Sequence, residues 1–278
     1  MANLLRTLIY GGQVSLTLAD TTALVQEGAH LHGLSRVSAT LFGKALSAMT
    51  FMSACLKGER GEISLSLKGD GECGEIAVSG NRQLRMRGYI DNIALKAGKE
   101  DIKNATVTVI RDDGYSRPFV GACAFPDGAD MDKGFEEYFR SSEQLPTRIL
   151  TAVETNEGGM VEFAGVVAVQ PLPFADQETL QKTENLNLKG LLDCVKEQGV
   201  FDCARAHFKE DFPVWEEREA AYKCNCSREY LTRVLVSLGE EGMRRIIQED
   251  GAVRVHCHYC NTDYEFTDED ADKLFAKE

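Results

Sequence analysis

The sequence predicts an α+β protein in three parts: a mainly antiparallel sheet carrying helices, a helical linker, and a small cysteine-rich module at the C-terminus. In a long segment that ends near residue 56, apolar residues recur with helical spacing. Between Glu62 and Val169, several segments have apolar residues at every second position, as in strands with one buried face. The last part contains two close pairs of cysteines. The predicted parts are residues 1–175, 176–222 and 223–278.

Length and hydropathy limit the class of protein. A chain of 278 residues can form one large domain or a main domain with a smaller one, and we expect the latter. The first residues, MANLLRTLIYGGQVSLTLAD, lack the continuous apolar core of a signal peptide. No stretch approaches the roughly 18 apolar residues that suggest a membrane span. We therefore expect a soluble, cytoplasmic protein with no membrane partner.

Net charge and cysteine content indicate which partners and which cysteine chemistry to expect. A net charge of -13 disfavours nucleic acid as a partner, because phosphate binding depends on a basic surface. Nine cysteines, an odd number, in a reducing compartment are expected to be thiols or metal ligands. Some arginines do gather near the C-terminus, as on a solvated helix face or a local basic surface: Arg228, Arg233, Arg244, Arg245 and Arg254.

The first predicted element is a long, largely buried helix in GLSRVSATLFGKALSAMTFMSACLKG. Its apolar residues follow a helical period. They are Leu34, Val37, Leu41, Ala45, Ala48, Met52 and Cys55.

The alternating residues that follow predict strands. Ile63, Leu65 and Leu67 alternate, and the turn KGDGECG leads to further alternating pairs. GFEEYFRSSEQL looks helical, whereas MVEFAGVVAVQ closes the sheet. The remaining predicted strands are ATVTVIRD, SRPFVGACAF and RILTAVET.

Residues 176–222 are polar and rich in charge, which indicates a linker. A narrow helical stripe is the one clear apolar feature there, so these helices are expected to depend on their neighbours for stability. The stripe is Leu188, Leu191, Leu192 and Val195.

The cysteines near the C-terminus predict a zinc site. KCNCSREY contains Cys224 and Cys226, and HCHYC contains Cys257 and Cys260. Two close pairs separated by a small module are typical of one tetrahedral zinc ion. The spacer predicts two short helices and a strand. Ser227 is expected to cap the first helix, and Gly239 and Gly251 to end the two helices.

Other interpretations of these residues are weaker. A thioredoxin-like pair normally opens a helix, but Cys260 is followed by TDYEFT, which looks like a strand. His256 and His258 flank a cysteine, yet four thiolates already fill a tetrahedron, so both are predicted to be surface residues. All-cysteine zinc sites are usually closed and structural, and no nucleotide-binding or hydrolase motif is present, so no enzyme is predicted. Five further cysteines are predicted to be inert: Cys55, Cys73, Cys123, Cys194 and Cys203.

These motifs resemble a known family, the redox-regulated bacterial holdase called heat-shock protein thirty-three. The resemblance rests on KCNCSREY, EDGAVRVHCHYC, EEYFRSSEQLPTR and GKALSAMTFMSACLKG, whose order and spacing agree over nearly the whole chain. It implies a zinc-bound reduced form with little activity, and an oxidised form that holds unfolding client proteins without ATP. It also implies that the oxidised form is a homodimer.

The resemblance also assigns residues. Cys224, Cys226, Cys257 and Cys260 are the implied zinc ligands, and the implied disulfides pair Cys224 with Cys226 and Cys257 with Cys260. The five extra cysteines depart from the family's bare pattern and offer other pairings. Oxidation is expected to unfold the zinc module and then the linker, while the N-terminal domain stays folded.

Two other functions remain open from the sequence. One is a constitutive binding module for RNA or protein in which zinc is only structural. The other is a thiol oxidoreductase that uses Cys257 and Cys260. Suppression of client aggregation only after oxidation favours the chaperone over both.

Overall fold

The computed structural model describes residues 3–96, 101–125, 130–208 and 216–276. The chain forms two compact units, Met1–Tyr222 and Lys223–Glu278. No helix in the described ranges combines the length and apolar character that a bilayer crossing requires. Helices mixed with mostly antiparallel strands confirm the predicted α+β class.

The first unit contains two sheets and the helices that pack against them. Its strands are β1 (Leu4–Ile9), β2 (Val14–Asp20), β3 (Glu62–Lys68), β4 (Ile76–Asn81), β5 (Arg85–Ile90), β6 (Thr106–Asp112), β7 (Phe119–Ala124), β8 (Arg148–Thr155), β9 (Val161–Pro171), β10 (Glu216–Arg218) and β11 (Ala221–Tyr222). Its helices are α1 (Thr22–Leu31), α2 (Arg36–Ala54), α3 (Met131–Tyr138), α4 (Gln177–Glu184), α5 (Leu188–Gln198) and α6 (Val200–His207). A π-helical turn, Phe139–Glu143, extends α3.

One sheet of the first unit has the strand order β10-β1-β2-β9-β8 within the described residues and is antiparallel throughout. Successive residues of a strand point to opposite faces. Leu4 and Val166 accordingly join the core around α2, whereas Leu5 and Val167 join a second apolar core on the opposite face. Both faces of this sheet are therefore covered.

The predicted long helix is found as α2, which begins at the N-cap Ser35 and is buried along most of its length. It packs against strands of both sheets. A Cβ at Gly43 would lie 2.6 Å from a methyl carbon of Val25 and 2.8 Å from one of Val153. Glycine at this position therefore allows α2 to approach α1 and β8 closely.

The other sheet has the order β11-β5-β4-β3-β6-β7 within the described residues. Its neighbours are antiparallel except β11, which runs parallel to β5. The strands that the sequence predicted as one sheet thus belong to two, because alternation of apolar residues does not show which strands pair. The hairpin β1–β2 and α1 were not predicted.

The predicted linker contains helices, as its apolar stripe indicated. Asp176 and Asn187 cap α4 and α5, and the four stripe residues of α5 are buried. Residues 209–215 of the predicted linker lie outside the described residues. Its last residues form β10 and β11, which pair with β1 and β5.

The second unit is a small module with its own apolar core. Ser227 caps its first helix, and Gly239 and Gly251 lie at the ends of the two helices, which confirms the predicted boundaries. Its elements are α7 (Arg228–Leu238), α8 (Glu240–Asp250), β12 (Val253–Cys257), β13 (Thr262–Phe266) and α9 (Asp268–Phe275). Its buried apolar residues are Leu235, Met243, Ile247, Val253, Phe266 and Ala271.

Candidate metal centre

The first cysteine pair lies in the irregular segment just before α7. The backbone N–H of Cys226 points at Cys224 Sγ, 3.5 Å away. The Ser227 hydroxyl accepts a hydrogen bond from the Tyr230 amide at 3.1 Å, so the helix begins directly after the second cysteine. The local turn therefore aims both sulfurs to the same side.

The second pair lies at the turn between β12 and β13. Cys257 is the last residue of β12 and is paired with Thr262. Its carbonyl oxygen accepts hydrogen bonds from the amides of Cys260, at 3.3 Å, and Asn261, at 2.8 Å. Asn261 has a φ of 52°, a left-handed conformation that asparagine tolerates well. This tight turn brings Cys260 back beside Cys257.

The four predicted ligands come together. The sulfurs of Cys224, Cys226, Cys257 and Cys260 all lie within 4.8 Å of one another, and all four residues are half-buried. Cys224 Sγ is 3.8 Å from Cys257 Sγ, and Cys226 Sγ is 3.1 Å from Cys260 Sγ. Zinc–sulfur bonds of about 2.3 Å in a tetrahedron place neighbouring sulfurs about 3.8 Å apart. The Cys224–Cys257 separation matches this value and the Cys226–Cys260 separation is shorter, and the four thiols together could hold one metal ion such as zinc.

Burial and hydrogen bonds shift the pKa values of the metal-free thiols. Burial raises the pKa of Cys224 and of Cys226. Burial also acts to raise the pKa of Cys260, but hydrogen bonds from Thr262 and from the neighbouring thiols outweigh it and lower that pKa. A bound cation would release the thiol protons, because thiolates are the ligand form.

Arg228 fixes the first pair to the hairpin that carries the second. Its guanidinium donates to the Glu265 carbonyl oxygen and to Asp270, both at 2.8 Å. It also lies 4.3 Å from the centre of the Phe266 ring. In the sequence this arginine is one of several near the C-terminus, and no local pattern indicates these contacts, because they join residues far apart in the chain.

The two neighbouring histidines are exposed, as the sequence predicted. His256 Nδ1 lies 2.7 Å from an Asp263 carboxylate oxygen, and the His256 and His258 rings are 5.2 Å apart. Neither belongs to the group of four sulfurs in the described residues.

Comparison with known proteins decides the family. A family model described as Hsp33 protein matches residues 2–267. The chain belongs to the Hsp33 family. It is 30% identical over 276 residues to the 33 kDa chaperonin of Ruminiclostridium cellulolyticum, covering 95% of this chain and 94% of that protein. It is 32% identical to the 33 kDa chaperonin of Acetivibrio thermocellus, covering 95% and 93% respectively.

The fold agrees with an Hsp33 structure as well. The crystal structure of the 33 kDa chaperonin from Thermotoga maritima superposes with a TM-score of 0.83, at 24% identity, over 98% of this chain and 97% of that one. The Hsp33 resemblance seen in the sequence is thus confirmed. The family is a chaperone family, so this chain is a chaperone and not an enzyme.

In this Hsp33 family member, α5 and α6 cover one face of the sheet β10-β1-β2-β9-β8. Arg148 on β8 adds polar contacts, because its guanidinium donates to the carbonyl oxygens of Thr183, at 2.6 Å, and Leu186, at 3.0 Å. The face covered by the helices is strongly apolar. It consists of Leu5, Ile9, Val14, Leu16, Leu18, Phe163, Val167 and Val169.

The five other cysteines lie in the first unit. Cys73 is buried and its thiol donates to the Gly74 carbonyl oxygen, while Cys55 and Cys123 are half-buried. Cys194 on α5 and Cys203 on α6 are both buried in the apolar core between these helices and the sheet. The sequence did not indicate that these last two lie side by side.

Proposed function

We propose that this Hsp33 family member is a redox-regulated holdase that needs no ATP. In the reduced state it binds zinc and is inactive. Oxidation forms disulfides, releases zinc and undocks the linker, and the protein then prevents aggregation of unfolding proteins during oxidative stress. The observation that carries this proposal is a thiol cluster suited to zinc in a chain whose linker helices cover a large apolar sheet face.

In the reduced form, Cys224, Cys226, Cys257 and Cys260 would hold one zinc ion as thiolates. An ion bound this way supplies folding energy of roughly 10–16 kcal/mol in small modules. The module's own apolar core has few buried side chains. A core of that size rarely supplies more than roughly 3–5 kcal/mol. Loss of the ligands would therefore unfold the module.

Peroxide is the proposed oxidant. One thiolate sulfur attacks a peroxide oxygen, which gives a sulfenic acid and hydroxide, and a second thiol then displaces water from that sulfur to form the disulfide. The family resemblance implies the pairs Cys224–Cys226 and Cys257–Cys260. All four sulfurs lie within 4.8 Å of one another, so each of these pairs is within reach. Each disulfide consumes one peroxide and removes two zinc donors.

Undocking of the linker is the proposed route to client binding. The helices of the linker are short, and isolated helices of this length are marginal in water. Their stability therefore comes from packing on the sheet and from attachment to a folded module. Two disulfides that each close a tiny loop restrict the unfolded chain little, so they do not replace the zinc.

The proposed client surface is the apolar sheet face together with the stripe of α5. Leu191 and Val195 are 1% exposed in the docked state, and their apolar neighbours on the sheet are buried as well. Exposed apolar surface of this kind binds the apolar segments of unfolding proteins. We propose a cytoplasmic location, where reversible thiol chemistry is available, and a homodimer as the oxidised form.

Light scattering from a heat-unfolded client tests the function. The reduced, zinc-loaded protein is expected to leave aggregation unchanged, and the peroxide-treated protein to suppress it without ATP. Protein treated with peroxide and then with a dithiol serves as the control and is expected to lose activity again. Equal suppression before and after oxidation would favour a constitutive zinc-dependent binding module instead.

A further inference from the structure

A second group of side chains that could hold a metal ion lies on the linker helices α5 and α6. Cys194 on α5 and Cys203 and His207 on α6 each offer one ligand atom, and these three atoms lie within 4.8 Å of one another. Cys203 and His207 are four residues apart and therefore share one face of α6. Gly199, with a φ of 82°, reverses the chain between the helices and brings Cys194 alongside.

The surroundings suit metal ligation from one side. Cys203 is 0% exposed and Cys194 is 8% exposed, both within an apolar core, whereas His207 is exposed. His207 Nδ1 lies 3.1 Å from the Cys203 carbonyl oxygen. A carbonyl oxygen only accepts, so Nδ1 carries the proton and Nε2 keeps its lone pair. A backbone carbonyl that fixes the tautomer in this way is typical of metal-bound histidines.

Simple burial explains part of this arrangement. Free cysteines often act as small apolar residues, and the Cys203 thiol has an acceptor in the Leu191 carbonyl oxygen at 3.4 Å. Burial alone does not require an imidazole beside both sulfurs. The imidazole also lies on the side open to solvent, from which an ion would enter.

We propose that Cys194, Cys203 and His207 form a second metal site, which takes a thiophilic ion such as Zn²⁺ through two thiolates and one imidazole. Thiolate and imidazole ligands together select ions of this class, and three protein ligands leave a fourth position for water. Binding releases the two thiol protons to solvent. The ion links α5 to α6. Because it binds only when the two helices are packed together, it stabilises the state in which they cover the sheet. This inference does not depend on the redox function proposed above.

Zinc titration of the reduced, metal-free full-length chain, in competition with a chelator of known affinity, tests the proposal. Two equivalents are expected to bind. His207→Gln is expected to leave the fold intact, because the side chain is exposed. It is expected to reduce the zinc affinity of only one of the two equivalents, by about tenfold or more. Cys203→Ala is expected to remove that same equivalent. Cys123→Ala, which alters a half-buried cysteine outside both clusters, is expected to keep both.

Cobalt substitution separates the two sites, because a four-sulfur site and a two-sulfur, one-nitrogen site give different absorption spectra. In the Cys257→Ser chain, a remaining equivalent that His207→Gln weakens supports the second site. A wild-type chain that binds a single equivalent would overturn it. So would a second equivalent that neither His207→Gln nor Cys203→Ala changes. If Cys203→Ala loses both equivalents through misfolding, the His207→Gln result decides.

Discussion

At the scale of single residues, each sulfur of the four-cysteine centre is expected to matter because a tetrahedral site leaves no spare donor. Cys257→Ser is expected to reduce zinc affinity strongly, since a neutral hydroxyl replaces a thiolate. Metal analysis of the reduced, purified protein measures this. Cys73→Ser, which changes a buried cysteine outside the centre, is the control and is expected to retain about one zinc at that centre. Full zinc affinity in Cys257→Ser would contradict the ligand assignment.

Arg228 provides a second prediction at this scale, because its contacts hold the segment of the first cysteine pair against β13 and α9. Arg228→Ala removes its hydrogen bonds to Glu265 and Asp270 and its contact with Phe266. Zinc affinity is expected to fall roughly tenfold, as for other residues that orient ligands. Chelator competition measures the loss. Arg233→Ala, which removes an exposed arginine of the same helix, is the matched control, and an equal loss there would argue against a positioning role.

The cluster of four cysteines could be predicted from the sequence because the two residues of each pair are neighbours in the chain. Cys224 and Cys226 share one turn and Cys257 and Cys260 another, so spacing alone indicates the site. The roles of Arg228 and Arg148 depend on contacts between segments far apart in the chain. The cluster of Cys194, Cys203 and His207 likewise appears only when α5 and α6 fold back on each other.

At the scale of elements, the packing of α5 on the sheet is expected to keep the chaperone inactive. Leu191 is 1% exposed between the helix and the sheet. Leu191→Ala leaves a cavity, and such changes destabilise packing by about 2–5 kcal/mol. Reduced Leu191→Ala protein is therefore expected to suppress client aggregation partly without peroxide, as measured by light scattering.

The control for that experiment is Lys189→Ala, which changes an exposed residue of the same helix and is expected to remain inactive when reduced. If reduced Leu191→Ala were as inactive as Lys189→Ala, the packing of α5 would not restrain activity. Arg148→Ala, which removes the donor to two linker carbonyls, is expected to act in the same direction as Leu191→Ala.

Several strands could not be predicted from the pattern of apolar residues, for physical reasons. Strand β2 is buried on both faces, and the buried polar residues Ser15 and Thr17 obscure the alternation that identifies a strand. Strands β10 and β11 have three and two residues, too few to show a period. By contrast, α2 and β9 are long and strongly patterned, and both were predicted.

At the scale of the whole molecule, oxidation is expected to divide the chain into an ordered and a disordered part. Hydrogen exchange on the oxidised, zinc-free protein is expected to show loss of protection at residues 176–208 and 223–275. The strands around Ile63–Leu67 and Val161–Val169 also pack in the core around α2, which the helices α4 to α6 do not cover, and should retain protection. The reduced, zinc-bound protein is the reference. Unchanged protection in α4 to α6 of a protein that nevertheless holds clients would contradict the mechanism.

The same measurement locates the end of the disordered segment. The sequence assigned residues 216–222 to the linker, but β10 and β11 are hydrogen-bonded to strands of the two sheets. We therefore expect these residues to stay protected on oxidation. Their loss of protection would show that undocking extends to residue 222, as the sequence predicted.

The anchoring of Tyr222 makes the linker a loop fixed at both ends. Its hydroxyl donates to the Gly88 carbonyl oxygen at 2.8 Å and lies 3.0 Å from His32 Nε2, while the other end continues directly from β9. A loop held in this way meets its own sheet at an effective concentration in the millimolar range, whatever the protein concentration. A client that binds this sheet face would therefore compete with the linker of the same chain. Only segments that bind the sheet tightly would stay bound, and restoring the zinc module would shift the competition toward client release.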